Sequence, residues 1–308
     1  MPSDFDSRIS IVVLTHNRIF ELERTVYQLR LLPERPRIIV VDNGSYEAAA
    51  VRRIARFPEV TLVRSERNLG AAGRNLGVAL VETPYVAFCD DDTWWESGAL
   101  PHACDLLDAH PKVGLINARV LVGVQQKEDP ACARMADSPL DGAGLPGPAL
   151  ISFMAGAVVM RTQAFRSVGG YEPQLFLGAE EALMSLDLAA QGWHMVYAPD
   201  VVVHHFPSPC RDRRARQKVL ARNRLWIAAL RLPLHDLKRE VLAILREAGQ
   251  AGHLVPVVLE TLRGLPWAYQ HRKVVPDAVC QMHRTVFAGA RVRSLVPSAT
   301  PSVTQTGV

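Results

Sequence analysis

The sequence lacks the features that mark secreted, zinc-binding and membrane-spanning proteins. Its five cysteines are odd in number and widely separated, and they include no CxxC pair. Neither a zinc site nor a disulfide framework is therefore predicted. The acidic N-terminal residues contain no apolar stretch of the kind found in secretory signals, and no apolar run is long enough to span a bilayer. We expect a cytoplasmic protein.

Acidic residues are scarce in the last third of the chain. From residue 206 onward there are 17 Lys and Arg against 6 Asp and Glu, whereas residues 1–205 hold 18 basic and 25 acidic residues. A basic segment of this kind favours an anionic partner, either lipid or nucleic acid. Nucleic acid is not expected, because no zinc module or aromatic-interleaved basic sheet accompanies the charge. The basic segment is expected either to contact an anionic membrane at its inner face or to pack on the rest of the protein.

Short apolar strands alternate with amphipathic helices in the first 120 residues. The pattern predicts strands at 8–14, 37–41, 60–64, 84–89 and 113–118, and helices at 19–32, 46–56, 70–81 and 97–109. Repeated β–α units of this length indicate an α/β fold with a parallel sheet covered by helices on both faces. Further along, the pattern predicts a mobile loop at 121–149, strands at 151–160, 195–197 and 201–204, and a helix at 180–191.

The C-terminal part changes from this alternation to a helical and basic pattern. Helices are predicted at 212–229, 236–248, 255–262 and 277–287, and apolar residues such as Leu225, Trp226 and Leu230 give the first of them one apolar face. We therefore divide the chain into an α/β domain (1–206), a basic helical extension (207–293) and a disordered tail (294–308).

Three adjacent carboxylates, Asp90, Asp91 and Asp92, follow a buried strand and have no basic residue among them. Such a cluster is unfavourable unless a cation neutralises it. Mg²⁺ or Mn²⁺ bound to a diphosphate fits, because these ions take oxygen ligands from one or two carboxylates and from phosphate. The alternative is an acidic loop in which an aspartate caps a helix. Thr15 and Asp42 also lie at predicted strand ends, where α/β sheets bind ligands.

Several segments together resemble the family 2 glycosyltransferases with a GT-A fold. The segments are Thr15-His16-Asn17-Arg18, Val41-Asp42-Asn43-Gly44-Ser45, Arg67-Asn68-Leu69-Gly70, Cys89-Asp90-Asp91-Asp92, Gly169-Gly170-Tyr171 and Gly178-Ala179-Glu180-Glu181. The resemblance covers about residues 8–206, and it implies a Rossmann-like mixed sheet flanked by helices. It also implies an inverting, metal-dependent enzyme that moves a sugar from a UDP- or dTDP-sugar to an acceptor hydroxyl, with a cell-envelope or lipid-linked glycan as the expected acceptor.

The resemblance assigns the first Asp of the cluster to the donor ribose and the last to the metal. Asp92 would then hold Mg²⁺ or Mn²⁺, with His205 as a further ligand, although a surface or core histidine is the alternative for His205. The expected donor-binding residues are Thr15, Asn17, Arg18, Asp42, Asn68, Gly70, Arg74, Asp90 and Asp91. For Asp42 the alternative is an Asx turn, for Arg18 a solvated side chain, and for the segment around Gly70 a structural glycine turn.

An inverting transfer needs a base that takes the proton of the attacking hydroxyl. The resemblance gives that role to Glu181, with Glu180 as the alternative, since the family form is Glu-Asp or Asp-Asp. The plain alternative is that both carboxylates only favour a helix N-terminus. Trp94, Trp95 and Met154 are expected to border the sugar or the acceptor, although core packing accounts for one tryptophan equally well.

Two other functions compete with sugar transfer. A nucleotidyltransferase on a related sheet would need a Gly-rich LxxGxGTR-like segment, which is absent. A binding protein without turnover is the second alternative, and the presence of Asp90, Asp92 and Glu181 argues against it.

Overall fold

A mixed sheet forms the centre of the structure, a computed structural model that describes residues 7–47, 51–207 and 213–295. The strands among these residues are β1 (Ile9–Thr15), β2 (Arg37–Asn43), β3 (Val60–Ser65), β4 (Tyr85–Asp90), β5 (Thr93–Trp95), β6 (Val113–Val122), β7 (Lys127–Glu128), β8 (Val158–Arg161) and β9 (His194–His205). They are arranged in the order β3-β2-β1-β4-β8-β6-β9-β5, and β7 pairs with β6. β1, β2, β3 and β4 are parallel, whereas β8 runs antiparallel to both β4 and β6.

Helices cover this sheet and continue beyond it. They include α1 (Ile19–Arg30), α2 (Gly73–Ala79), α3 (Ala99–Ala109), α4 (Pro130–Ala136), α5 (Thr162–Ser167), α6 (Glu180–Ala190), α7 (Arg213–Arg231), α8 (Leu234–Gln250), α9 (Leu254–Gln270) and α10 (Asp277–Leu295). Short 3-10 helices lie at Ile54–Arg56, Gly70–Ala72 and Pro173–Leu175. The central strands β1, β2 and β4 are apolar and almost wholly buried, as expected for strands covered on both faces. The predicted α/β fold with a mixed sheet and a helical extension is confirmed.

Several predicted elements differ in detail. In the region predicted as a helix at 46–56, residues 51–52 are helical, a 3-10 helix follows at Ile54–Arg56, and residues 48–50 lie outside the described part. The segment predicted as a loop at 121–149 contains the end of β6, β7 and α4. Asp129 caps the start of α4, because its carboxylate accepts a hydrogen bond from the Ala131 N–H at 2.8 Å, and Pro130 occupies the first helical position. This Asp-Pro pair is a helix-start signal that the composition of the segment obscured.

The two strands predicted at 195–197 and 201–204 form one strand, β9. Its pairing with β6 shifts register between Ala198 and Val202, so Pro199 lies at an irregularity where no ladder hydrogen bond is required from it. The strand predicted at 151–160 is shorter, since β8 begins only at Val158, after a turn in which the Ala157 N–H bonds the Met154 carbonyl.

The helical extension packs on the sheet domain through α7. Leu225, Trp226 and Leu230 are buried, so the apolar face of the first basic helix is covered by protein. Contact of the basic segment with a membrane stays a prediction. A bidentate ion pair joins Arg231 of α7 to Asp187 of α6, with contacts of 2.5 and 2.9 Å. The division at residue 206 stays a prediction, and residues 296–308 of the predicted tail lie outside the described part. No described helix is both long enough and apolar enough to cross a bilayer.

Candidate active site

The carboxyl ends of β1, β2 and β4 bring the predicted donor residues to one edge of the sheet. Thr15 is paired in register with Asp42 of β2, and Leu14 is paired with Asp90 of β4. Because the three strands are parallel and adjacent, their final side chains share this edge. The convergence predicted from the positions of Thr15, Asp42 and Asp90 is therefore present.

The acidic cluster is neutralised from within the protein by Arg18. Its Nη1 atom lies 2.8 Å from Asp91 Oδ1 and 3.0 Å from Asp92 Oδ2, and both carboxylates are buried. Burial opposes the charge of Arg18, but the two carboxylates outweigh it and raise the pKa of the guanidinium. Burial raises the pKa of Asp91 to about 7 although Arg18 acts in the opposite direction. Thr15 Oγ1 donates a further hydrogen bond to Asp91 Oδ2 at 3.0 Å, so Arg18 and Thr15 both hold the acids in place.

Asp92 lies beside His205, where β5 pairs with β9. β5 pairs antiparallel with β9 and sets Thr93 opposite His205, and His205 Nε2 lies 3.6 Å from Asp92 Oδ1. Neighbouring ligand atoms of one octahedral cation with bonds of about 2.1 Å lie about 3 Å apart. A small movement would therefore let His205 Nε2 and Asp92 Oδ1 bind the same cation. Within the described part of the chain, no group of three His, Cys, Asp or Glu side chains has metal-binding geometry. The pair fits an ion whose other ligands are water and phosphate.

Asp90 points away from this pair toward Arg74. Its side chain is 42% exposed, whereas the Arg74 guanidinium that binds it is almost fully buried. The Arg74 guanidinium also lies over the Tyr171 ring, 5.5 Å from its centroid. Burial opposes the charge of Arg74, but Asp90 and the nearby Glu180 and Glu181 raise its pKa. Arg74 is thus positioned as a counter-ion to the carboxylates of Asp90, Glu180 and Glu181. Its predicted contact with the donor stays a prediction.

Asp42 has two protein partners at the strand end. Its Oδ1 accepts a hydrogen bond from the Ser45 N–H at 2.9 Å, and its Oδ2 pairs with Arg64. The hydrogen bond reaches three residues along the chain, one further than an Asx turn, and the recognition of a base by Asp42 stays a prediction. Asn17 joins the same loop, because its N–H donates to Ser45 Oγ and its Oδ1 accepts from the Tyr46 N–H, both at 2.9 Å.

Asn68 and Gly70 form a tight loop held by Asn43. Asn43 Nδ2 donates to Asn68 Oδ1 at 3.0 Å, and the Gly70 N–H donates to the same oxygen at 2.8 Å. Gly70 has a φ of +61°, and a Cβ there would lie 1.8 Å from the Phe176 carbonyl oxygen. The glycine turn is required by this close approach, which joins the loop to the segment before α6.

Glu180 and Glu181 begin α6, and their charges act on Arg74, the partner of Asp90. Glu180 is buried, whereas Glu181 is partly accessible to solvent. Burial and the neighbouring Glu180 raise the pKa of Glu181 to about 8. A carboxyl group with such a pKa is suited to exchanging a proton near neutral pH.

The segment before these glutamates has an unusual backbone. Phe176, Gly178 and Ala179 have φ values of +61°, +95° and +66°, of which only the glycine value is free of strain. Asn223 of α7 is completely buried beneath this segment, and its Nδ2 donates to the Leu175 carbonyl at 2.8 Å and the Gly178 carbonyl at 2.6 Å. The helical extension therefore holds the segment that presents the glutamates.

Comparison with known proteins places this arrangement in a family. The sequence pattern described as "Glycosyl transferase family 2" matches residues 10–168, just over half of the chain. The chain belongs to glycosyl transferase family 2. The "Pre-mycofactocin glycosyltransferase" of Mycobacterium tuberculosis is 30% identical over 223 residues, which are 68% of this chain and 45% of that protein. The chain thus spans about half the length of that curated relative.

A second relative and two solved structures extend the comparison. The "N-acetylglucosaminyl-diphospho-decaprenol L-rhamnosyltransferase" of Mycobacterium tuberculosis is 23% identical over 237 residues, which are 64% of this chain and 76% of that protein. The mannosyltransferase PcManGT from Pyrobaculum calidifontis, solved with GDP-Man and Mn²⁺, has a TM-score of 0.58 at 21% identity and covers 94% of this chain and 87% of its own. The structure of S. aureus TarS 1–349 has a TM-score of 0.54 at 15% identity, and the match covers 93% of this chain and 92% of that one. At these identities the structures support the fold.

The structure separates the two tryptophans that the sequence assigned to sugar or acceptor contacts in this family 2 chain. Trp95 is buried in the core, so the prediction of a sugar contact is wrong for it, and core packing is its role. Trp94 stacks on Phe206 with ring centroids 4.9 Å apart, and the Arg24 guanidinium lies 5.5 Å from its ring centroid. Met154 is partly buried, and its N–H donates to a side-chain oxygen of Asn117 at 2.7 Å.

Sequence reasoning missed Asn223 and Tyr171 as parts of the site. Tyr171 was noted only within a Gly-Gly-Tyr motif, yet its ring packs between Arg74 and the core, and burial raises the pKa of its hydroxyl. The sequence marks Asn223 only as an uncharged polar residue between two arginines of a basic helix.

A cavity of about 370 Å³ lies between the start of α6 and the C-terminal helices. Ala179 and Ala182, on either side of the glutamate pair, form part of its wall, and the ion pair of Arg224 and Glu247 (2.6 Å) borders it. The remaining apolar lining consists of Leu186, Leu220, Ile227, Ala228, Leu232 and Phe287. Its size is in the range of small-molecule sites.

Proposed function

We propose that this protein is an inverting, metal-dependent glycosyltransferase that moves a sugar from a UDP- or dTDP-sugar to an acceptor hydroxyl. The observation that carries the proposal is that the aspartate cluster and Glu181 come together at Arg74, whose guanidinium binds Asp90 and lies close enough to Glu181 for their charges to interact. Family membership and the meeting of β1, β2 and β4 at one sheet edge support it.

On the donor side, Asp92 and His205 would hold Mg²⁺ or Mn²⁺, as their 3.6 Å separation allows. Such an ion stabilises the departing nucleoside diphosphate as a Lewis acid. Asp90, the most exposed of the three aspartates, would accept hydrogen bonds from the donor ribose, and Arg74 would hold its carboxylate in position. Arg18 would hold the inner carboxylates, Asp91 and Asp92, in position for the metal.

Glu181 would act as the general base. Its carboxylate takes the proton of the acceptor hydroxyl while that oxygen attacks the anomeric carbon, and the bond to the diphosphate breaks on the opposite face. Its raised pKa makes it an effective proton acceptor once ionised. Glu180, which is more deeply buried, would then tune the pKa of Glu181 through its charge.

The acceptor would be a cell-envelope or lipid-linked glycan, used at the cytoplasmic face of the membrane. The name of the rhamnosyltransferase relative includes a diphospho-decaprenol acceptor, which supports this class.

Calorimetric titration with UDP, dTDP and GDP, with and without Mn²⁺, tests the donor site. We expect UDP or dTDP to bind in a Mn²⁺-dependent manner, and Asp92→Asn to lose that dependence while remaining folded, because asparagine still accepts from Arg18. Glu82→Gln on the exposed surface is the control and should bind as the wild type does. A folded wild-type protein that binds none of the nucleotides would contradict the proposal.

A further inference from the structure

The helix α9 is apolar around most of its circumference, although only one of its faces is covered. Its inner face packs on α7, where Gly264 lies so close to the Trp226 ring that a Cβ would be 2.3 Å from it. Val257 and Ala268 are buried on the same face. A helix that is apolar on all sides normally has protein or lipid on all sides.

The outer face of α9 carries an exposed apolar stripe. Val255, Leu259, Leu262 and Tyr269, which we call the α9 stripe, are 67%, 53%, 54% and 81% exposed. Their spacing of four, three and seven residues places them on one side of the helix, opposite the face that contacts Trp226. Four large apolar side chains aligned in this way are characteristic of a docking surface.

Acidic charge around the stripe is neutralised, and basic charge faces outward. Of the four acidic residues in α8 and α9, Asp236 and Glu240 are buried, and Glu247 and Glu260 each form an ion pair with an arginine of α7. The exposed basic residues of this region are Lys238, Arg246, Arg263 and Lys273. These four basic residues outnumber the exposed acidic residues of the same region, Glu247 and Asp277, so the exposed charge of residues 234–277 is net positive.

We propose that the α9 stripe lies on the surface of an anionic lipid bilayer, with its apolar side chains among the headgroups and the surrounding lysines and arginines on the phosphates. Positive charge around the stripe attracts an anionic bilayer and repels an identical surface on a second copy of the chain. With 17 residues, α9 is about 25 Å long, which suits a helix that lies on the membrane. The inference rests on the membrane location proposed above and specifies α9 as the surface used for it.

Vesicle cosedimentation of the full chain tests this inference without any nucleotide. The probes are phosphatidylcholine vesicles with and without phosphatidylglycerol, at low and high salt. We expect binding to the anionic vesicles, weaker at high salt, and a loss of about tenfold or more in partitioning for the double variant Leu259→Gln/Leu262→Gln. The control Val124→Gln removes an apolar side chain that is 86% exposed on the sheet domain and should bind as the wild type does.

Three results would overturn the inference. The first is a wild-type protein that does not bind anionic vesicles, and the second is a double variant that binds them as well as the wild type. The third is a dimer in sedimentation velocity that dissociates in the double variant, since the stripe would then be an interface between copies. Both variants should keep the nucleotide affinity of the wild type, so failure of this inference is distinguishable from failure of the proposed donor site.

Discussion

Replacing Glu181 with glutamine should stabilise the protein while abolishing its proposed reaction. The pKa of Glu181 is raised from its ordinary value of 4.5 to about 8, so the folded protein holds a proton that the unfolded chain releases. Stability is therefore lost as the pH rises from about 4.5 to about 8, and below that window the carboxyl group has no effect. Glutamine keeps the shape of the side chain and removes this pH dependence.

The magnitude follows from the size of the shift. Each pKa unit corresponds to about 1.4 kcal/mol, so full ionisation of Glu181 costs the folded state on the order of 5 kcal/mol. Because the carboxyl group is partly accessible to water, which screens its charge, we expect about 2 kcal/mol. For a chain of this length that corresponds to an increase of about 3 °C in Tm.

Thermal melts of the wild type and of Glu181→Gln between about pH 5 and pH 9 would measure this effect. The variant should melt near the wild type at the acidic end and about 3 °C above it at the alkaline end. The control Glu82→Gln, whose carboxylate is 86% exposed, should match the wild type throughout. If Glu181→Gln melts at or below the wild-type temperature at every pH, the reasoning about this carboxylate is refuted.

Three further predictions concern the groups around the site. Gly70→Ala should lower the free energy of unfolding in urea by about 2 kcal/mol more than the control Gly252→Ala. Both glycines have positive φ, but only at Gly70 would the added Cβ lie 1.8 Å from a carbonyl oxygen. Equal losses for the two variants would contradict this prediction. Arg74→Gln should move the ascending limb of the kcat/KM–pH profile above about pH 8, since Arg74 lowers the pKa of Glu181; an unmoved limb would count against the assignment. Asn223→Ala should lower kcat about tenfold with donor affinity unchanged, because it releases the segment before α6; equal losses in kcat and affinity would indicate general damage.

The convergence of donor residues could be predicted because it depends on short-range patterns. Apolar runs that end in Thr15, Asp42 and Asp90 identify strands, and the ends of parallel strands meet at one sheet edge. The start of α6 at Glu180 was also predicted, since an amphipathic pattern begins there.

The partners of these residues could not be predicted, because they depend on contacts between distant segments. Arg18 and Asp91 are 73 positions apart, and nothing in the sequence indicates that they pair. The exposure of Leu259 likewise depends on how α9 packs against α7, since both faces of α9 are largely apolar. Helical periodicity identifies an apolar face only where the opposite face is polar.

Sugar transfer at this site is the central claim, and turnover of the donor tests it most directly. The measurement is the release of UDP or dTDP from a panel of UDP- and dTDP-sugars in the presence of Mn²⁺ and simple alkyl glycoside acceptors. We predict release from at least one donor by the wild type and by Glu82→Gln, and at least about a hundredfold slower release by Glu181→Gln with nucleotide binding retained. Release by Glu181→Gln at the wild-type rate, or no release from any donor by a protein that binds the nucleotide, would contradict the account.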